Sequence, residues 1–136
     1  MAILSLAAKY RLLEKPLDSI LRRALLYLKK SKRPVFVYLV SDGEMTRINR
    51  EFRRKNKPTT VLAFAFDPAW PYPAKLERPL GEIYLAPDHI RKTRGEPGPL
   101  LVHGLVHLLG YTHKKNRDKI VMERLERRII SKIPVS

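Results

Sequence analysis

Apolar positions change their period several times along the chain, and each change marks an element. Residues 2–8, AILSLAA, are apolar enough for a first strand. Over 16–31 the apolar residues Leu17, Ile20, Leu21, Ala24, Leu25 and Leu28 recur at intervals of three and four, the stripe of a helix, and Pro16 suits its first turn. The run PVFVYLV at 34–40 is rich in β-branched and aromatic residues and reads as a buried strand. Ser41-Asp42-Gly43-Glu44 has the form of a capping box. It opens a helix to about residue 54, with Met45, Ile48 and Phe52 as its apolar stripe and Asn49 beside them.

A loop, KNKPTT at 55–60, leads to a strand at 61–66. The Pro-rich stretch 67–80 reads as a long surface loop, and ordered loops of that length often carry function. A further strand follows at 80–86, then a turn or short helix at 87–96. Residues 98–109 are apolar on nearly every side, which makes that helix the central buried one. Residues 117–132 form a last amphipathic helix with Ile120, Val121, Leu125, Ile129 and Ile130 expected inward. The order β-α-β-α-β-β-α-α predicts one α+β domain over 1–136 with a single small mixed sheet.

Composition narrows the chemistry. The 136 residues suffice for one core without staples. With no cysteine there is neither a disulfide framework nor a thiolate metal site, so a transition metal must bind through His, Asp or Glu. Twenty-eight Lys and Arg against thirteen acids leave a net charge of +15, which favours a polyanionic partner, nucleic acid ahead of membrane. No apolar run reaches the roughly 20 residues of a membrane span, and the start has no basic leader, so a cytoplasmic protein is expected. The absence of Gln and Cys, with many charges, is a composition shared with thermophilic proteins.

Three of the four histidines fall in HGLVHLLGYTH, at His103, His107 and His113. Helical positions four apart differ by about 40° of phase, so His103 and His107 share a face. Gly110 can take the left-handed conformation that ends a helix, letting the chain turn back toward the same point. Three imidazoles in a tripod with an open position are the arrangement of catalytic zinc, one ion per chain. The spacing matches the metalloprotease pattern HExxHxxGxxH, except that Gly104 stands where that pattern has its Glu general base, which excludes peptide hydrolysis by that route. His89 is isolated and suits a surface or capping role.

The run 103–113 resembles the HGxLHLxGYDH signature of the YbeY family, metal-dependent endoribonucleases of ribosomal RNA maturation. Residues 48–64, INREFRRKNKPTTVLAF, resemble that family's LNxxYRxKxxPTDVLSF stretch, and Gly81-Glu82-Ile83 its Gly-Asp-Ile strand. The resemblance implies a mixed four-stranded sheet with surrounding helices and a tri-histidine zinc. It also implies an arginine needed for activity, by position Arg53, and cytoplasmic action on RNA near the small ribosomal subunit. Helical phase puts Arg53 at the margin of the buried stripe, where it can point into a cleft. The chain departs from the family at Thr60, Ala63, Glu82 and Thr112, where the family has Asp, Ser, Asp and Asp. The segment between residues 86 and 103 is also shorter than usual.

The expected activity is zinc-dependent endoribonucleolytic hydrolysis of small-subunit ribosomal RNA. Zinc would hold the scissile phosphate or a water whose pKa falls to about 7. Arg53 would pair with phosphate oxygens. Glu82 would either orient a ligand or water or stand solvated at a strand end. Arg22, Arg23, Lys29, Lys30, Arg47, Arg50, Arg54, Lys55 and Lys57 are candidates for the RNA backbone. Two other readings stand beside it: an RNA-binding ribosome assembly factor whose zinc only holds the fold, and a zinc hydrolase of a non-RNA substrate.

Overall fold

In a computed structural model, which describes residues 2–67, 69–110 and 116–136, the elements follow the predicted order. Among the described residues there are four strands, β1 (Ile3–Ser5), β2 (Val35–Leu39), β3 (Val61–Ala65) and β4 (Gly81–Leu85). The helices are α1 (Glu14–Tyr27), α2 (Asp42–Arg53), α3 (Pro87–Lys92), α4 (Pro97–Leu108) and α5 (Asn116–Lys132), with a 3-10 turn at Ala8–Leu13. The sheet order is β1-β2-β4-β3; β1/β2 and β2/β4 are parallel and β3/β4 antiparallel, so the sheet is mixed as expected.

The first strand is shorter than the apolar run 2–8. The Ser5 amide donates to Glu14 Oε2 at 3.1 Å, and the chain turns into the 3-10 segment from Ala8. Helix α1 starts two residues before Pro16 and stops at Tyr27, where Lys29 takes a positive φ of 58° and the Lys30 amide returns to the Leu25 carbonyl. Its stripe Leu17, Ile20, Leu21, Ala24 and Leu25 is buried as predicted, with Leu28 half-buried. In β2 only one face is buried. Val35, Val37 and Leu39 point into the core, while Phe36 stays 38% exposed on the other side.

Helix α4 is the centre of the molecule. It lies against β3 and β4 and is flanked by α1 and α5. Leu101, Val102, Leu105 and Val106 are fully shielded, the result of its nearly all-round apolar sequence. Gly104 makes this close approach workable: a Cβ there would lie 3.1 Å from Ile83 Cγ2 and 3.3 Å from Val61 Cγ2. Helix α2 sits on the opposite face of the sheet, where Met45 and Ile48 join Val40, Leu62 and Ala86 in a second small core. Phe52, expected in that stripe, is 63% exposed; the stripe ends at Ile48 and the buried Asn49, and the Phe52 ring only leans on Phe64, centroids 5.3 Å apart.

Helix α5 presents a different face than expected. Met122 and Ile129 are completely buried, Leu125 and Ile130 partly so, whereas Ile120 and Val121 are 50% and 38% exposed. The inward stripe is therefore set by Met122, and Ile120 and Val121 lie outside it.

Candidate metal centre

Helix α4 carries His103 and His107 one turn apart on its half-buried side. The rings meet edge to face with centroids 4.7 Å apart, and the two Nε2 atoms stand 3.1 Å from one another. Two lone pairs this close repel unless a proton or a cation lies between them. Ligands of a tetrahedral ion with metal–nitrogen bonds of about 2.0–2.1 Å lie about 3.3 Å apart. The pair thus fits a shared ion. Gly110, beyond the helix end, has φ +97°, the left-handed conformation expected there. His113 lies outside the described residues, as does Thr112. Among the described residues no group of three or more His, Asp or Glu side chains converges on one point.

The two imidazoles open on a cavity of about 150 Å³ that they line with Arg53, Val61, Ala63 and Gly104. Arg53, the last residue of α2, is exposed and reaches this hollow past the end of β3. The left-handed Arg54 (φ 57°) ends α2 immediately after it. Asn49 anchors the following loop by donating from Nδ2 to the Lys57 carbonyl at 2.8 Å. A neighbouring cleft of about 530 Å³ shares Arg53 and Val61 with the cavity and adds Lys55, Lys57, Thr60 and His89. His89 is therefore half-buried at the edge of a basic cleft beside Arg53.

The expected site residues separate by face. Ala63 pairs in register with Ile83 and faces the histidines; Thr60 lies in the adjoining cleft. Glu82, expected to orient a ligand or water or to stand solvated, lies away from the histidine cavity and lines a separate cleft. It sits half-buried on the opposite face of the sheet and accepts a hydrogen bond from the Tyr84 hydroxyl at 2.7 Å. Burial and this carboxylate push the Tyr84 phenol far above its ordinary range. The candidate backbone-binding cations also sort. Arg22 pairs with Asp18 at 2.9 Å, and Arg47 with Glu44 and Glu51 at 2.6 and 3.0 Å, so their charges are partly spent inside the protein. Lys55 and Lys57 remain at the cleft.

One residue of the site was missed in the sequence. Glu126 of α5 reaches across to α4 and places Oε1 2.6 Å from Nδ1 of His103; the side chains are 17% and 25% exposed. The signal was present: Glu126 falls four residues after Met122 and three before Ile129, in the middle of an apolar stripe, where a carboxylate needs a partner.

The family described as Endoribonuclease YbeY matches residues 5–134 of the chain. A relative named Endoribonuclease YbeY from Buchnera aphidicola is 33% identical over 116 residues, 79% of this chain and 72% of that protein. One of the same name from Francisella tularensis subsp. tularensis is 32% identical over 107 residues, 72% of this chain and 66% of its own length. The aligned stretch therefore spans about two thirds to three quarters of these relatives. The solution structure of TM1509 from Thermotoga maritima has the same fold, with a TM-score of 0.55 at 24% identity over 96% of this chain and 89% of that one.

Proposed function

Given that the chain belongs to the YbeY endoribonuclease family, we propose that residues 1–136 form one zinc-dependent hydrolase domain that cleaves ribosomal RNA of the small subunit in the cytoplasm. One ion per chain is held by His103, His107 and His113. The observation that carries the reading is the cavity that His103 and His107, with facing imidazole nitrogens, line together with Arg53, beside a cleft lined by Lys55 and Lys57.

The ion, when bound, supplies Lewis-acid polarisation of the phosphate and lowers the pKa of a water molecule. The protein's own residues do the rest. Arg53 offers a planar fork to two phosphate oxygens, where negative charge grows as the phosphorus is attacked. Lys55 and Lys57 hold the flanking backbone and fix its register without reading bases. Gly104 and Ala63 bring no carboxylate to the cavity, and among the described residues no Asp or Glu lines it. The described part of the wall therefore has no counterpart of a peptidase general base, and a phosphodiester meets no carboxylate lining it.

The test is elemental analysis of the purified protein together with cleavage of structured RNA with and without chelator. One zinc per chain is expected, lost in His107→Ala, with cleavage stopped by chelator and restored by zinc. Protein that takes up no metal on zinc titration, or cleavage that survives in His107→Ala, would overturn the reading. Metal retention without RNA cleavage would leave a structural zinc in an RNA-binding factor, if RNA affinity falls steeply with salt, or a zinc hydrolase of another substrate, if it does not.

A further inference from the structure

Glu126 lies on α5, outside the histidine run of α4, yet its carboxylate stands directly against the first of the two histidines. Its Oε1 is shielded from solvent, has no aligned hydrogen bond among the described residues, and lies 2.6 Å from Nδ1 of His103, the ring nitrogen that faces away from His107, so a small turn of either group pairs them. A neutral imidazole carries one proton on one of two nitrogens, and the partner of one nitrogen decides the state of the other. A buried carboxylate at Nδ1 draws the proton there, because a lone pair facing it would repel. Nε2 is then left as the lone pair, 3.1 Å from Nε2 of His107.

We propose that Glu126 is a positioning residue: it fixes the Nδ1–H tautomer and the ring angle of His103, so that Nε2 is permanently presented to a divalent metal ion. This rests on the proposed metal site and deepens it. The arrangement crosses two helices. Helix α4 supplies the ligand and α5 the carboxylate, and Met122 and Ile129, fully buried on either side of Glu126 along α5, hold the carboxylate in place. Carboxylates on the far nitrogen of a metal-binding histidine commonly change metal affinity about 10–100-fold when removed. A purely structural ion pair between α4 and α5 would instead show itself in the stability of the metal-free protein and leave metal affinity unchanged relative to it.

The experiment measures zinc affinity of the full chain by competition with a chromophoric chelator, for wild type, Glu126→Gln and Glu126→Ala. Melting of the metal-free proteins is followed in parallel. In the metal-free wild type, imidazole nitrogen NMR should report the Nδ1–H tautomer for His103. Affinity should fall about 10–100-fold in Glu126→Ala and less in Glu126→Gln, whose amide oxygen can accept from an Nδ1–H. The His103 signals should move toward the other tautomer in Glu126→Ala. Glu126→Gln preserves shape and so keeps the test readable if the alanine variant folds poorly. Unchanged zinc affinity in both variants, or an Nε2–H tautomer in wild type, overturns the proposal. Failure of the wild type to bind zinc at all overturns the metal site itself, a distinct outcome.

Discussion

At the scale of single residues, Arg53 and Gly104 make opposite demands. Arg53 is exposed, ends its helix, and lines both the histidine cavity and the basic cleft, so its replacement removes little packing. Arg53→Lys keeps the charge but loses the planar fork that engages two phosphate oxygens. RNA cleavage should fall at least tenfold, while melting temperature and zinc content stay within error of wild type; wild-type cleavage rates in this variant would remove Arg53 from the chemistry. Gly104 is the reverse. Its missing side chain is what lets α4 lie on β3 and β4, with Ile83 and Val61 within 3.1 and 3.3 Å of a hypothetical Cβ. Writing the peptidase Glu into this position would bury a carboxylate against apolar side chains, at a cost of several kcal/mol. Gly104→Glu should therefore unfold or severely destabilise the protein in a thermal melt and confer no cleavage of unfolded protein substrates. Gain of peptidase activity in a folded variant would contradict both the packing and the chemistry.

At the scale of elements, what was legible depended on how one-sided each stripe is. The stripe of α1 is unambiguous, and the structure buries every residue it names except Leu28, which is half-buried just past the helix end. Ser41 caps α2 as the capping box predicts, accepting from the Glu44 amide at 3.2 Å. Glu44 itself turns to Arg47 and does not close the box. Helix α5 was misread because Ile120 and Val121 are β-branched and strongly apolar, yet Met122 is the residue that phase aligns with Leu125 and Ile129. That single shift hid Glu126, since a stripe counted from Ile120 leaves it on the flank. His103 and His107 were legible because helical geometry alone brings i and i+4 together. The sidedness of Glu82 was not, because it depends on which face of the sheet α4 covers. The α5 assignment can be tested directly. Met122→Ala should cost about 2–5 kcal/mol by denaturant melting, the range for truncating a fully buried methionine. Ile120→Ala, at a position 50% exposed, should cost under about 1 kcal/mol. The reverse order would restore the original phase.

At the scale of the whole molecule, the charge of +15 is not uniform in use. Part of it is paired internally, as at Arg22 with Asp18 and Arg47 with Glu44 and Glu51, and such pairs gain little by meeting a phosphate. On the proposed reading, the cations that meet the polyanion are those that line the cleft adjoining the histidine cavity, Arg53, Lys55 and Lys57. Binding of single-stranded RNA releases about 0.7 counterions per phosphate neutralised, so the slope of log affinity against log salt counts the contacts. Five contacts would lower affinity about a hundredfold between about 50 and 200 mM monovalent salt. Lys55→Ala and Lys57→Ala should each reduce the magnitude of the slope by about 0.7, whereas Arg22→Ala, whose partner is Asp18, should leave it unchanged. Titration with a labelled single-stranded RNA in the His107→Ala background, where cleavage is expected to be lost, reads all three slopes on an intact probe. Equal reductions at Arg22, Lys55 and Lys57 would mean that the charge acts as a diffuse field around the protein. Reductions confined to the two lysines would place the RNA backbone in the cleft that leads to the histidine cavity.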